Sequence, residues 1–600
     1  MKNYKSLILT LLTALAIAPG CESFLIENPE TLMTSNQLYA SEEGFQLGLN
    51  GLYASARKER EGYGYTDSFG ATGLYALMNM AGTDNYDSGA GASGEFTAIY
   101  KSWNTANVPT DKSLKSAFEW LYETVLAANT LIGRVDDIEW SSEIKKNNTE
   151  AQARLIRAWA YRHLTYMWGD VPLNLVETTG ENFRSDWERD NVHVVRAQII
   201  EDLIFAEEHL DWTPSVVGAP SKGVALTYLA EMYLTEAEAV RNGSYVPADP
   251  EMTVDKLNKL AFDAANKCIT EGPYNLFDVK GETCAFMNMF APENANHTNP
   301  EVLWAMQWEQ NTLGGGNNLM RFSLRPKFDS SNAFAKGAII ISYYEESRGG
   351  RGFARTGITP WALNLYDTSS DRANGIIDDR GSEYAIAQYY TITEKDEIAE
   401  DAGINAATGE NWKIGDKVYI GVSKAADIGK YEASTLSKGF AAVLKQESGS
   451  NNNNWPYTLK YSYCDPGYPK NNESHNDQIY MRLAETILLR AEASLKLGEV
   501  TAAADDINRL RTRVNALPVT SDQITLDFIL EERSRELLGE EQRRYTLLRT
   551  KSASEFVEWV TARNPKDKGL AERDYLFPIP QSVIDANVSK PMKQNDGYNN

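Results

Sequence analysis

Residues Gln478 to Leu497, QIYMRLAETILLRAEASLKL, place apolar side chains at Ile479, Leu483, Ile487, Ala491 and Leu495, one every four residues. That spacing predicts a helix with one buried face. Gly498 follows, a residue that stops helices because it enters left-handed backbone without a Cβ clash. The next stretch, VTAAADDINRLRTRVNAL, carries a face of its own at Ala503, Ile507 and Leu510. Together they predict a helical hairpin of the tetratricopeptide type, a unit that must bury its face on a neighbouring pair. A chain built on such hairpins is mainly α-helical, and its function depends on what the scaffold carries.

More helical segments precede this one. Trp120, Val125, Leu126 and Ala128 fall in a first, followed by Ala151 to Trp168, Val192 to Leu210, Lys222 to Val240 and Val254 to Thr270, with Gly272-Pro273 as the stop. The character then changes. From Pro273 to His475 come TLGGGNN, RGGRG, SGSNNNNWP and short β-like runs such as KVYIGV. A structureless stretch of that length inside a compact chain usually carries function. The reading is one domain over 21–600. A tetratricopeptide-like scaffold at 113–272 and 478–549 bears a large loop-rich insertion with a few short strands. The loop-rich, ligand-binding face is expected at about 60–112 and 273–475.

The N-terminus sets the compartment. Lys2 and Lys5 form a positive region, and Leu7 to Ala18 is an uncharged run too short to span a bilayer stably. Ala18-Pro19-Gly20-Cys21 then reads as a lipobox, making 1–20 a lipoprotein signal peptide and Cys21 the lipidated residue. Acyl chains there anchor a protein through buried methylenes. Of the other cysteines, Cys268, Cys284 and Cys464 have no CxxC spacing, which excludes a zinc framework. Buried thiols are favoured over a Cys268–Cys284 bridge. The excess of 83 acidic over 59 basic residues, a net charge of −24, argues against nucleic acid as a partner.

Catalytic motifs are missing: there is no HExxH, GxxxxGK[ST], GxSxG or CxxC. Gly89 to Gly94 fits GxGxxG without a strand before it and reads as a flexible loop. The five histidines lack metal-ligand spacing, and the acid cluster Asp367, Asp371, Asp378 and Asp379 lacks the calcium-loop pattern, so no metal or cofactor is assigned. The loop-rich segments do offer aromatic residues beside amides and arginine, the pairing that suits sugar rings with apolar faces and dense hydroxyls. Asp84, Asn85, Tyr86, Trp103, Tyr343, Arg351 and Trp361 are the candidate ligand contacts. Trp304 and Trp308 alternate within VLWAMQW and are expected in the core of a strand instead.

Four segments in order carry a resemblance to a known family. They are Cys21-Glu22-Ser23-Phe24-Leu25 with Pro29; RLIRAWAYRHLTYMWGDVPL from Arg154; RLAETILLRAEASL from Arg482 with NRLRTR and ILEERSRELLGEEQRRYTLLR; and LFPIPQSVIDAN from Leu576 with QNDGY. The chain resembles the SusD/RagB family of outer-membrane nutrient-binding lipoproteins. The Arg/Glu-rich third segment reads as a charged helical face, with Glu531–Arg535 and Glu532–Arg535 as local pairs worth tenths of a kcal/mol. The resemblance implies a non-catalytic lipoprotein at the cell surface, anchored in the outer membrane. It further implies capture of oligosaccharide, or of peptide in RagB-like members, and hand-over to a SusC-like TonB-dependent transporter that the protein covers as a lid. A surface glycoside hydrolase and a scaffold or adhesin are the readings of other classes.

Overall fold

The computed structural model describes residues 34–61, 75–88, 103, 107–312, 315–316, 318, 320–325, 339–342, 345–352, 355–405, 408–419, 456–468, 474–564 and 569–598. The leader, Cys21, the Gly89 to Gly94 loop and Tyr343 lie outside them.

The scaffold begins with α1 (Glu42–Glu61) and continues through α2 (Lys112–Arg134), α3 (Glu143–Trp168), α4 (Val192–His209), α5 (Lys222–Arg241) and α6 (Val254–Glu271). Side-chain caps start several of them. The Asp111 carboxylate accepts from the Ser113 and Leu114 amides at α2, and Ser142 and Thr253 cap α3 and α6. From α2 onward each helix packs on the next, as hairpin stacking requires. Within α3 almost every side chain from Thr149 to Trp168 is buried, because α1, α2 and α4 all pack against it. Its polar residues are therefore paired: the Arg157 guanidinium donates to both Asp202 oxygens at 2.7 and 2.8 Å and to Asn129 at 2.8 Å. Gly169, at φ +73°, ends the helix.

The insertion follows α6 and includes α7 (Pro360–Thr368). The array resumes with α8 (Leu483–Lys496), which packs directly on α6, so the insertion leaves and re-enters an unbroken stack. Gly498, at φ +80°, turns the chain into α9 (Val500–Arg513), and this hairpin forms where the periodicity placed it. After it come α10 (Leu526–Glu536), α11 (Arg543–Thr550) and α12 (Ala553–Arg563). The chain's own S-x-x-E box, Ser552 with Glu555, caps α12. The sequence reading had ended the scaffold at 549 and had assigned neither α12 nor α1.

One expectation is corrected here. Gln478 to Arg482 is not the first turn of a helix but a strand. The short strands that matter are β1 (Tyr86–Ser88), β2 (Val302–Met306), β3 (Thr356–Ile358) and β4 (Gln478–Arg482), with β1 antiparallel to β3 and β2 to β4. All five residues of β4 are buried, so its sequence shows no alternation to separate it from a buried helical turn. Ile479 supports the sheet, and the helical face starts at Leu483. Trp304 and Trp308 are buried, as their alternation indicated.

A hydrophobic cluster runs through the scaffold from Phe45 to Met592. Two smaller clusters lie in the insertion, one around Ile339, Tyr390, Trp412, Val418 and Tyr457, the other around Phe286, Met289, Val302 and Ile479. Cys268 and Cys284 are buried free thiols and Cys464 is a half-buried one, so the Cys268–Cys284 bridge is not formed. Among the described residues no helix is long and apolar enough to cross a membrane.

Candidate ligand-binding face

Most of the residues that the sequence singled out turn inward. The Asp84 carboxylate accepts from Arg543 Nε at 2.9 Å, from Arg543 Nη2 at 2.7 Å and from Trp559 Nε1 at 2.6 Å, and the residue is fully buried. Its main-chain carbonyl accepts the Thr359 hydroxyl, and that of Asn85 accepts the Thr359 amide, which ties the start of α7 to this turn. Asn85 and Tyr86 are buried with it. Trp103 is buried too; its ring stacks on Phe577 at 6.5 Å, with the Arg544 guanidinium 5.5 Å from its centroid. These four are corrected from ligand contacts to buried residues, with Asp84 and Trp103 held by partners from the C-terminal part of the chain.

Trp361 and Arg351 are half-buried and keep some surface. Trp361 meets Trp559 edge-on at 6.2 Å, while the Arg563 guanidinium lies 3.4 Å over the Trp559 ring and 5.4 Å from that of Trp361. Arg351 follows the Gly349-Gly350 turn, both glycines left-handed at φ +75° and +70°. A Cβ on Gly349 would stand 2.0 Å from the Ser462 carbonyl oxygen, so only glycine lets this loop lie on the 462–467 loop. Glu346 accepts the Gly467 amide across the same contact.

That contact borders a shallow cleft lined by Asn318, Lys460, Tyr463, Asn476, Asp477 and Gln478, among others. Tyr463 and Tyr468 are exposed at its loop. Asp465 pins the loop by accepting the His475 amide at 3.0 Å and facing His475 Nδ1 at 2.6 Å. Asn476 and Asp477 are half-buried near the exposed phenol of Tyr463, while Asn318 and Gln478 are buried behind them. Phenol, amide and carboxylate are the group types that a polyhydroxylated ring engages. Tyr463 and Asn476 are not among the candidates that the sequence offers; the aromatic-amide run between Tyr461 and Asn476 carries them, with a weaker signal than the denser aromatic clusters upstream.

A small cavity lies inside the scaffold among Arg162, Glu231, Glu485, Arg533, Glu541 and Arg549, whose charges are already paired, Arg162 with Glu231, Arg533 with Glu485 and Glu541, and Arg549 with Glu492. It belongs to a buried ionic network. Arg482 donates to Glu301 at 2.8 Å and to Glu536 and Glu540 at 2.7 Å. Arg380 reaches Glu532 at 2.9 Å, Glu536 at 2.8 Å and Asp378 at 2.8 and 2.9 Å. Arg513 pairs with Glu301 and Glu536, and Lys460, at the floor of the cleft, donates to Glu540 at 2.5 Å. The local pairs read from the sequence do form, Glu532–Arg535 at 3.0 Å and Glu531–Arg535 at 3.5 Å. The third segment is nevertheless not a solvated face. Most of its charges are buried and bind partners in the insertion, Glu301, Arg380 and Lys460, thereby bolting the cleft to the helices.

Burial alone would raise the carboxyl pKa of Glu532 and Glu492, but the guanidiniums of Arg380, Arg511 and Arg535 around the first, and Arg549 with Lys496 around the second, outweigh it. Both are held at about 2 against an ordinary 4.5. A carboxyl whose folded pKa lies below its unfolded one contributes stability that is complete above the unfolded value and lost as pH falls through the folded one. Thermal scans should thus show a stable plateau above about pH 5 and a steep fall between about pH 4.5 and 2. A melting temperature unchanged at pH 3 would contradict this ionic bolt.

Residues 300–598 match the family model described as the SusD family, and residues 67–234 match one described as starch-binding associating with outer membrane. The chain belongs to the SusD family. SusD-like protein P2 of Formosa agariphila is 26% identical over the whole of both chains. Among solved structures, B. fragilis NanU superposes with a TM-score of 0.65 at 20% identity, covering 95% of this chain and all of that one. A laminarin binding SusD-like protein superposes at 0.58 and 19%, covering 93% and all. At those identities the superpositions speak for the fold.

Proposed function

We propose that this protein is a non-catalytic carbohydrate-capture lipoprotein of the outer membrane. It binds oligosaccharides on its loop-rich face and passes them to a SusC-like TonB-dependent transporter that it covers as a lid. The observation that carries the reading is the cleft at Tyr463, where an exposed phenol stands near the half-buried Asn476 and Asp477 and its loop is held by Gly349 and Asp465. Family membership supports it, as do the likeness in fold to a laminarin binding SusD-like protein and the match to the family described as starch-binding. Cys21 is the proposed lipid anchor. Arg351 and Trp361, both half-buried, extend the ligand surface; Tyr343, outside the described residues, remains a candidate from the sequence alone.

Binding of this kind is shallow and weak per sugar, which favours release to a transporter; long polymers recover affinity by engaging repeatedly. Movement of the lid is a rigid-body change biased by which state the ligand prefers. Tyr463→Ala removes one aromatic platform and is expected to weaken oligosaccharide binding about tenfold, the loss of roughly 1.4 kcal/mol, with an unchanged melting temperature. Unchanged affinity in affinity electrophoresis would move the site away from this cleft.

A further inference from the structure

Large exposed apolar side chains occur at several places on the described surface, and three of them share one loop cluster far in sequence from the cleft. The 174–188 segment joining α3 to α4 carries Val176 and Phe183, the latter 76% exposed. Asn182 folds this segment back on itself by donating to the Glu177 carbonyl at 2.8 Å, bringing Phe183 toward Val176. A C-terminal segment runs alongside. The Ser589 amide donates to the Ser185 carbonyl at 2.9 Å, the two hydroxyls meet at 2.8 Å, and the Trp187 amide donates to Asn587 at 2.7 Å. Val588, 80% exposed, is held between those contacts. Most charges around the three are paired, Arg134 with Glu177, Arg184 with Asp186, and Lys590 with Glu188, while the exposed Glu181 carboxylate lies at the edge. Phenyl and isopropyl groups fixed at loop tips and rimmed by mostly paired charge suit an apolar phase with a polar boundary.

The N-terminal chain says what that phase is. Arg134 donates to Asn36 Oδ1 at 2.7 Å while its other guanidine nitrogens donate to both Glu177 oxygens at 2.8 Å. The first described helix, Ser35–Leu38, therefore starts next to the Val176 loop. Thr34 stands thirteen residues after Cys21, a tether that even fully extended spans at most about 45 Å. A lipid on Cys21 would keep this flank nearer the bilayer than the tether's length.

We infer that Val176, Phe183 and Val588 form a docking surface for the lipid bilayer itself, setting the orientation of the anchored protein on the membrane. The inference rests on the lipid-anchor reading of Cys21, and its test separates the two. The full acylated chain, in a Cys464→Ser background that removes the accessible thiol, is bound to phosphatidylethanolamine–phosphatidylglycerol vesicles containing doxyl lipid. An environment-sensitive fluorophore is placed on Phe183→Cys or, as control, on Ile404→Cys in the insertion. Lipid should quench the label at 183 at least twofold and leave that at 404 unquenched. A protein that floats with the vesicles while its 183 label stays unquenched overturns the docking surface and spares the anchor. Failure to float overturns both. A label shielded only by added transporter, never by lipid, would give this surface to a protein partner and refute the inference.

Discussion

Glu536→Gln should destabilise the protein by about 3–5 kcal/mol, the loss expected when one member of a buried ionic cluster is removed and its partners stay behind uncompensated. Glu536 is fully buried and accepts from Arg380 and Arg482 at 2.8 and 2.7 Å, with Arg513 as its third partner. Burial pushes its carboxyl pKa up, yet Arg513, Arg482 and Arg380 hold it well below the usual carboxylate range. Glutamine keeps the shape and removes the charge, leaving three guanidiniums with too few anions. Because Arg380 belongs to the insertion and Arg482 opens α8, the damage should reach the cleft as well. A lowered midpoint of urea unfolding together with weaker glycan binding is the expected pair of results. An unchanged midpoint would mean that the network contributes nothing to the fold.

Asp84→Ala is the second large effect. The carboxylate holds Arg543 in both arms and the Trp559 indole, all without water contact, so its removal should cost about 3–5 kcal/mol. The same substitution separates two roles for this residue. As a ligand contact it would weaken binding and leave the unfolding midpoint alone. As the buried partner of Arg543 it lowers the midpoint, and oligosaccharide affinity measured well below the unfolding transition should change far less than in Tyr463→Ala.

The scaffold was legible because stacked helices repeat their burial every three or four residues and end on residues with specific backbone needs, such as Gly169 and Gly498. The failure at Gln478–Arg482 has the same root: a strand buried on both faces has no period of its own. The site was less legible, since aromatic and amide residues serve equally well in a core and on a surface. Asp84, Asn85, Tyr86 and Trp103 have the composition of a sugar site, and only the positions of Arg543, Trp559 and Phe577, more than four hundred residues away, make them structural. The Arg/Glu segment misled in a similar way. Charged residues at i and i+4 look like a solvated helix face until distant partners such as Glu301 and Arg380 enclose them.

The most direct test of the central claim is isothermal calorimetry of the ectodomain, begun just after Cys21, against a panel of plant and host glycans and peptides, with every mixture also assayed for breakdown products. Saturable binding of an oligosaccharide with no products, weakened about tenfold by Tyr463→Ala, is the predicted result. Release of shortened glycans would contradict a capture protein. Binding confined to peptides would contradict a carbohydrate ligand and assign the same cleft to peptide uptake.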